Sequence, residues 1–267
     1  MCDVTCDVRL QGNTLAHERR LVQHGFTVLR GVLSSGDVAD AKEALQLAEA
    51  AGGMQELQDG AAQQLRVPDL LRRHPLFAEL LLHPAVLSVV QRLLHNDFRC
   101  ATWSSNTLLP NMSSAVLGWH VDYPYHDIVP PWPPHTLSLQ VLWLLDDFTE
   151  RNGATMFWPH SHTWLQPPEY SFAAPPEAQL LLAPAGSVLI AHGAWWHRQT
   201  ANASPQPRSA LLANFCRAYV VPKADMEGQL LHMRGSGSME QLHAFQQERL
   251  QLLLLGQHRR GLRDVHA

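Results

Sequence analysis

Lysine is nearly missing from this chain: among its 20 basic residues only Lys42 and Lys223 are lysines, and no dense Lys/Arg block appears. With a formal net charge of −4, there is no electrostatic footprint for nucleic acid or for an anionic membrane surface. Long apolar runs are lacking too. The best candidate, Leu250–Leu255, is interrupted by Gln251 and followed by Gly256 and Arg259, well short of the roughly 18 residues a membrane span requires. The opening residues, Met1 to Cys6, show no basic region leading into an apolar stretch, so the expectation is a cytoplasmic protein without a secretory signal. Cysteine is scarce. Cys2, Cys6, Cys100 and Cys216 form no paired framework and suit a reducing compartment. Cys2 and Cys6 have the look of half a metal site, but no second Cys/His pair follows, and they read as part of a tail.

What is present is a hydrophobic content of 46%, ample for a packed core, and sixteen histidines. The length of 267 residues suits one domain, expected to divide into a mainly helical part (1–97), a β-rich core (98–222) and a helical extension (223–267). In the first part, Phe26–Leu29 reads as a short strand. Ser34, Ser35 and Asp37 supply N-cap chemistry for a helix over Val38–Ala51. The stretch Pro75–Leu94 has a helical apolar face, and Pro84 is expected to open a second helix within it. From Phe98 onward the runs are β-prone: Phe98–Leu109, Ala115–Val121, Thr136–Leu145, Ala154–Trp158, Leu180–Leu182, Ser187–Ala191 and Ser209–Tyr219. Pro, Gly and Asn punctuate them, which predicts an antiparallel sandwich or barrel. A last amphipathic helix is expected over Met239–Leu255.

The sharpest local feature is Gly118-Trp-His-Val-Asp122, at the end of a β-prone run. Residues i and i+2 of a strand share a face, so His120 and Asp122 are expected to project into one cavity. A lone His-x-Asp is common by chance and needs a third ligand. His197, after the apolar run Ser187–Ala191, is the candidate, with a separation long enough to cross between sheets. Two histidines and a carboxylate on one face of an iron ion leave three positions open, the number a chelating keto acid and dioxygen need. Arg208, at the start of a β-prone run, reads alone as a surface arginine after a proline-rich turn. Beside the iron pattern it reads instead as a buried guanidinium that binds a carboxylate through two parallel hydrogen bonds.

These residues carry a resemblance. Leu21–Leu33, Trp119–Tyr125, Leu142–Asp147, Asn152–Ala154, Trp158–His162 and the segment from Trp196-His197 to Arg208-Ser209 are similar to the phytanoyl-CoA dioxygenase family of iron(II)/2-oxoglutarate oxygenases. The resemblance covers about residues 20–220 and implies a mainly β fold with flanking helices, the double-stranded β-helix or cupin-like jelly roll. It implies Fe(II), 2-oxoglutarate and O2 as cofactor and co-substrates, with iron ligands His120, Asp122 and His197. Arg208 and Ser209 are implied at the 2-oxoglutarate tail, with Trp143 and Asn106 nearby. Two departures stand out: His160 where the family usually has glycine, and Ser187 after Gly186 where aspartate is common.

Asp122 favours hydroxylation over halogenation, because related halogenases leave a small residue there for chloride; desaturation and ring formation share the same chemistry and stay open. The expected partner is a small molecule. Tyr125, His126 and Trp132 belong to a proline-rich loop that either covers the active site or forms a rigid surface. His126 and His135 are not needed as metal ligands, and His192, Trp103, Trp164 and Trp195 read as packing. The competing reading is a non-catalytic or differently metallated cupin-fold binding protein. Arg208 discriminates against a different metal, since such a protein has no use for a keto-acid clamp, and the intact ligand set argues against a non-catalytic descendant.

Overall fold

The computed structural model describes residues 14–52, 54–58, 61–112, 118–168 and 174–256. Cys2, Cys6 and part of the expected strand Ala115–Val121 lie outside the described residues.

The N-terminal part opens with helix α1 (Thr14–His24), strand β1 (Phe26–Leu29) and helix α2 (Ser35–Ala50). The start of α2 follows from its sequence. Ser34 Oγ accepts from Asp37 N–H while the Asp37 carboxylate accepts from Ser34 N–H, closing a reciprocal capping box. The chain leaves α1 through Gly25 at φ +82°, where a Cβ would sit 2.5 Å from His162 Nδ1. Only glycine fits that turn. Helix α3 (Leu76–Leu81) and helix α4 (Pro84–Leu94) occupy the expected helical stretch, and Pro84 does open the second of them.

The first part is not purely helical, however. A hairpin, β2 (Met54–Gln58) and β3 (Ala61–Val67), extends the main sheet. Its sequence is rich in Gln and Ala, which carry no β preference, so cross-strand pairing with the next strand decides its conformation. The core strands are β4 (Phe98–Leu108), β5 (Ser138–Leu144), β6 (Thr155–Phe157), β7 (Gln179–Leu180), β8 (Val188–His192), β9 (His197–Gln199) and β10 (Arg208–Arg217). Helices α5 (Met226–Gly235) and α6 (Ala244–Leu255) close the described chain. Helix α5 and strand β9 were not expected from sequence, and the last helix starts later than its pattern suggested.

The strands form two antiparallel sheets, a seven-stranded one in the order β1-β8-β5-β10-β4-β3-β2 and a three-stranded one in the order β7-β6-β9. Period-2 alternation sorts their side chains. Leu139, Val141 and Trp143 of β5, Val188 and Ile190 of β8, and Leu211, Ala213 and Phe215 of β10 point to the helices and join the larger core. Leu144, Leu189, Ala191 and Ala210 point the other way and pack with Phe157 and Trp195 between the sheets. Two facing sheets with helices on the outer face of the larger one make the jelly-roll architecture expected from sequence. Among the described residues no helix is long and apolar enough to cross a membrane.

Candidate metal centre

His120, Asp122 and His197 meet at one point between the sheets, each offering a ligand atom within 4.8 Å of the others. The route to that point differs from the expected one. His120 and His197 are direct antiparallel bridge partners, each backbone N–H donating to the other's carbonyl at 3.0 Å. They are thus neighbours at the edge of the small sheet rather than groups facing across from one sheet to the other. Past the bridge the chain is no longer a ladder, yet Asp122 N–H donates to Gly193 C=O at 2.8 Å, which holds the alternation for two more residues. Trp119 and Val121 therefore pack into an outer aromatic cluster while His120 and Asp122 turn inward.

Both imidazoles are oriented through the same atom. His120 Nδ1 lies 2.9 Å from Gly118 C=O, and His197 Nδ1 lies 2.8 Å from Trp195 C=O. A carbonyl only accepts, so each Nδ1 carries the proton and each Nε2 presents a lone pair. His197 Nε2 lies 3.8 Å from Asp122 Oδ2, the two ring centroids are 4.4 Å apart, and the Trp195 ring stacks on His197 at 5.6 Å. Desolvation, then the neighbouring His197, drive the His120 pKa down to about 4, outweighing Asp122. The ring is neutral at pH 7, as a metal ligand must be.

Arg208 lines the same cavity of about 400 Å³. It starts β10, between β4 and β5 in the large sheet, so it faces the histidine pair from the opposite sheet. It is 3% exposed. One Nη donates to Gly153 C=O, its guanidinium carbon lies 4.2 Å from the Phe148 ring centroid, and its Nε has no hydrogen-bond partner. Burial pulls its pKa down to about 9, against the pull of Asp146, and leaves it charged at pH 7. Gly153 is fixed by geometry: it sits at φ +84°, and a Cβ there would meet Leu108 Cδ1 at 2.3 Å.

Asn106 of β4 and Gln199 of β9 bridge the two sheets in the cavity, Asn106 Nδ2 donating to Gln199 Oε1 at 3.4 Å. Asn106 Oδ1 and Gln199 Nε2 are buried without partners. Sequence reading missed Gln199, although it lies two residues beyond His197 and so on the same face. Trp103 and Trp195, expected to serve packing, are buried in the larger core and between the sheets respectively, and both also border the cavity.

Four expected site residues are placed elsewhere. The Ser209 hydroxyl points to the helical side and pairs with Thr107 Oγ1 at 2.9 Å, because alternation along β10 gives the cavity to Arg208 and Ala210. Trp143 falls on the helical side of β5 and packs edge-on against Trp103, with centroids 5.0 Å apart. Tyr125 and Trp132 pack together under the loop, 5.5 Å between centroids, and the Tyr125 hydroxyl accepts from Leu137 N–H. Of the three loop residues, His126 does line the cavity, beside Tyr123. His192 is buried near Tyr125 and His162, away from the triad. His160 adopts φ 60°, the left-handed conformation that favours glycine, and lies with Nδ1 3.0 Å from Gln23 C=O.

The donor set suits one divalent transition metal: two neutral imidazoles and a carboxylate gathered on one side, the other side opening into the cavity. The unpaired Arg208 Nε, Gln199 Nε2 and Asn106 Oδ1 suit a ligand that both accepts and donates, such as a carboxylate with its bound water. An iron(II)–2-oxoglutarate pair fits these residues.

Several known proteins are similar to this chain in sequence or in fold. Dioxygenase af480 of Aspergillus fumigatus is 26% identical over 221 residues, covering 80% of this chain and 70% of that protein. An uncharacterized protein of Mycobacterium tuberculosis is 23% identical over 157 residues, 58% of this chain and 57% of its own length. Among solved structures, SnoN, a non-heme α-ketoglutarate-dependent epimerase from nogalamycin biosynthesis, superposes with a TM-score of 0.64 at 21% identity, covering 79% of this chain and 87% of its own. The carbocyclase SnoK of the same biosynthesis gives 0.65 at 18%, covering 89% and 94%. HygX from Streptomyces hygroscopicus, solved with nickel, 2-oxoglutarate and hygromycin B, gives 0.63 at 17%, covering 78% and 88%. The phytanoyl-CoA dioxygenase family model matches residues 21–210, most of the chain, and the protein belongs to that family.

Proposed function

We propose that the protein is an iron(II)- and 2-oxoglutarate-dependent oxygenase that hydroxylates an unactivated C–H bond of a small molecule. One observation carries the reading. Three ligand atoms gather within 4.8 Å in the cavity where a buried guanidinium keeps an unpaired Nε. A differently metallated binding protein has no use for that charge, whose burial is costly without an anionic partner.

His120 and His197, held through Nδ1, and Asp122 would bind the metal, leaving its remaining positions toward the cavity. Arg208 would grip the far carboxylate of 2-oxoglutarate, with Asn106 and Gln199 orienting the bound co-substrate between the sheets. Bound there, iron(II) with 2-oxoglutarate and dioxygen supplies an oxidant able to cleave a C–H bond, one oxygen atom going to the product and the other to succinate, with release of CO2. Leu142, Leu189 and Leu212 give the cavity an apolar wall that keeps bulk water from that oxidant. The Asp122 carboxylate takes the position a halide would need, which favours hydroxylation over halogenation.

The reading is tested by incubating iron(II)-loaded protein with 2-oxoglutarate, labelled dioxygen and metabolite fractions, then following succinate and product mass. Substrate-stimulated succinate with one labelled oxygen in the product is expected. Succinate accompanied by a product that has only lost two hydrogens would replace hydroxylation by desaturation.

A further inference from the structure

Along β10 the cavity face carries Arg208, Ala210, Leu212 and Asn214, every second residue of the strand. The oxygenase reading, on which this inference rests, uses the Arg208 end. It leaves the Asn214 end, six residues and about 20 Å along the strand, without a role. That end is polar. Strand β10 is the central strand of the seven-stranded sheet, and Asn214 pairs directly with Gln140 of β5 on one side and with Thr102 of β4 on the other. Directly paired residues share a face, and all three line the cavity. Asparagine is depleted in strands, yet this one is 2% exposed in the middle of a sheet.

Hydrogen bonds fix which way the two amides face. Asn214 Nδ2 donates to Tyr123 C=O at 3.0 Å and to Gln140 Oε1 at 3.2 Å. A carbonyl only accepts, so the amide nitrogen of Asn214 is the atom beside Tyr123, and its Oδ1 is left buried without a partner. Gln140 accepts through Oε1, and its Nε2 makes no hydrogen bond among the described residues. Holding Tyr123 does not by itself account for the asparagine, because Ser138 Oγ already donates to the same carbonyl at 2.7 Å. Tyr123 directly follows the metal-ligand candidate Asp122, so the amide pair stands next to the metal centre on the opposite sheet. One acceptor and one donor, both unmatched, thus belong to a single cross-strand pair on the cavity wall.

We propose that Asn214 and Gln140 bind a neutral polar group of the substrate that both donates and accepts, a hydroxyl or a carboxamide. Asn214 Oδ1 accepts from that group, and Gln140 Nε2 donates to its oxygen. A buried acceptor without a donor is costly, and such a group removes the cost on binding. Leu142 and Leu212, one cross-strand pair nearer to Arg208, cover the apolar carbons beside it. The amide pair then determines which end of the substrate enters first and which carbon is offered to the metal.

The test titrates protein already saturated with iron(II) and 2-oxoglutarate, under anaerobic conditions, by ligand-observed NMR. The probes are 3-phenylpropan-1-ol, 3-phenylpropionamide and 3-phenylpropyl methyl ether, which accepts but cannot donate, and the visible band of the metal–keto-acid complex is recorded in parallel. The alcohol or the amide is expected to bind about ten-fold or more tightly than the ether, and the tighter of the two tells hydroxyl from carboxamide. That preference is expected to fall several-fold in Asn214→Leu and in Gln140→Leu. The second variant leaves the Tyr123 carbonyl with both its donors and keeps the test valid if the first fails to fold. An amide pair that serves only to hold the loop would alter stability in these variants and leave the preference as it was. Equal binding of all three probes, no binding of either polar probe, binding only by displacement of 2-oxoglutarate, or a preference unchanged in both variants would overturn the proposal. Absence of the visible band in the wild type would instead strike the oxygenase reading beneath it.

Discussion

His120 and His197, far apart in sequence, exchange both backbone hydrogen bonds at 3.0 Å, and their rings stand 4.4 Å apart at the edge of the small sheet. The backbone bridge itself brings the two imidazoles together. His197→Ala is therefore expected to fold normally while losing iron(II) affinity. The loss should exceed the roughly 10- to 100-fold typical of removing only a ligand's outer hydrogen-bond partner. Iron-binding titration against thermal melting separates the two effects; a variant that binds iron like the wild type removes His197 from the ligand set.

Arg208 gives the second prediction. Arg208→Ala removes charge-assisted hydrogen bonds worth about 2 kcal/mol or more, so 2-oxoglutarate affinity should fall roughly 30-fold or more. Iron(II) affinity without the co-substrate should stay within about two-fold. Arg208→Lys should recover little, because an ammonium cannot reproduce the planar fork. Unchanged keto-acid binding in the alanine variant is the opposite outcome.

Gly153 supports that guanidinium through its carbonyl and allows no Cβ, with Leu108 Cδ1 at 2.3 Å and Thr200 C=O at 3.1 Å from the position one would take. Gly153→Ala should cost about 1–3 kcal/mol of stability and weaken 2-oxoglutarate binding together. Denaturation midpoints and co-substrate affinity of wild-type quality would show that this turn has room the structure does not have.

Trp143 provides the control. Its ring lies on the helical side of β5 with no hydrogen-bond partner at Nε1. Trp143→Phe should lower stability by about 1–3 kcal/mol while leaving 2-oxoglutarate affinity within two-fold. A large loss of co-substrate binding without loss of stability would return Trp143 to the site.

His192 sets a pH dependence. Burial, then the neighbouring His162, lower its pKa to about 3, and its Nδ1 accepts from Ala194 N–H at 3.1 Å. The folded state disfavours the protonated ring. Its contribution is therefore complete above the unfolded value near 6.5 and is lost as pH falls from there toward 3, at up to about 1.4 kcal/mol per pH unit. His192→Gln should flatten the fall in unfolding free energy between pH 7 and pH 5. Parallel slopes for the two proteins would contradict the assignment.

The site was legible where the chemistry is local in sequence. His120 and Asp122 stand two apart with alternation intact, and Arg208 opens a clear β-prone run. It failed where only pairing settles which face a residue occupies. Ser209 and Trp143 belong to well-recognised motifs, yet each is one position out of phase with the cavity residues of its strand, and a single step reverses the face. Arg66, which also lines the cavity, was hidden because the Gln- and Ala-rich hairpin has no strand signal of its own and becomes β only beside β4. Gln199 was within reach, by extending to β9 the same two-residue step that joined His120 to Asp122. His160 shows the converse: an expected glycine position keeps its left-handed backbone with a histidine, whose ring reaches Gln23 C=O.

The most direct measurement adds iron(II) and then 2-oxoglutarate to the purified protein without oxygen and records the visible spectrum. A weak charge-transfer band is predicted for the wild type, absent in Asp122→Ala and His197→Ala, and requiring a higher 2-oxoglutarate concentration in Arg208→Ala. A folded wild-type protein that takes up iron(II) and yields no such band would contradict the assignment of His120, Asp122, His197 and Arg208 to one catalytic centre.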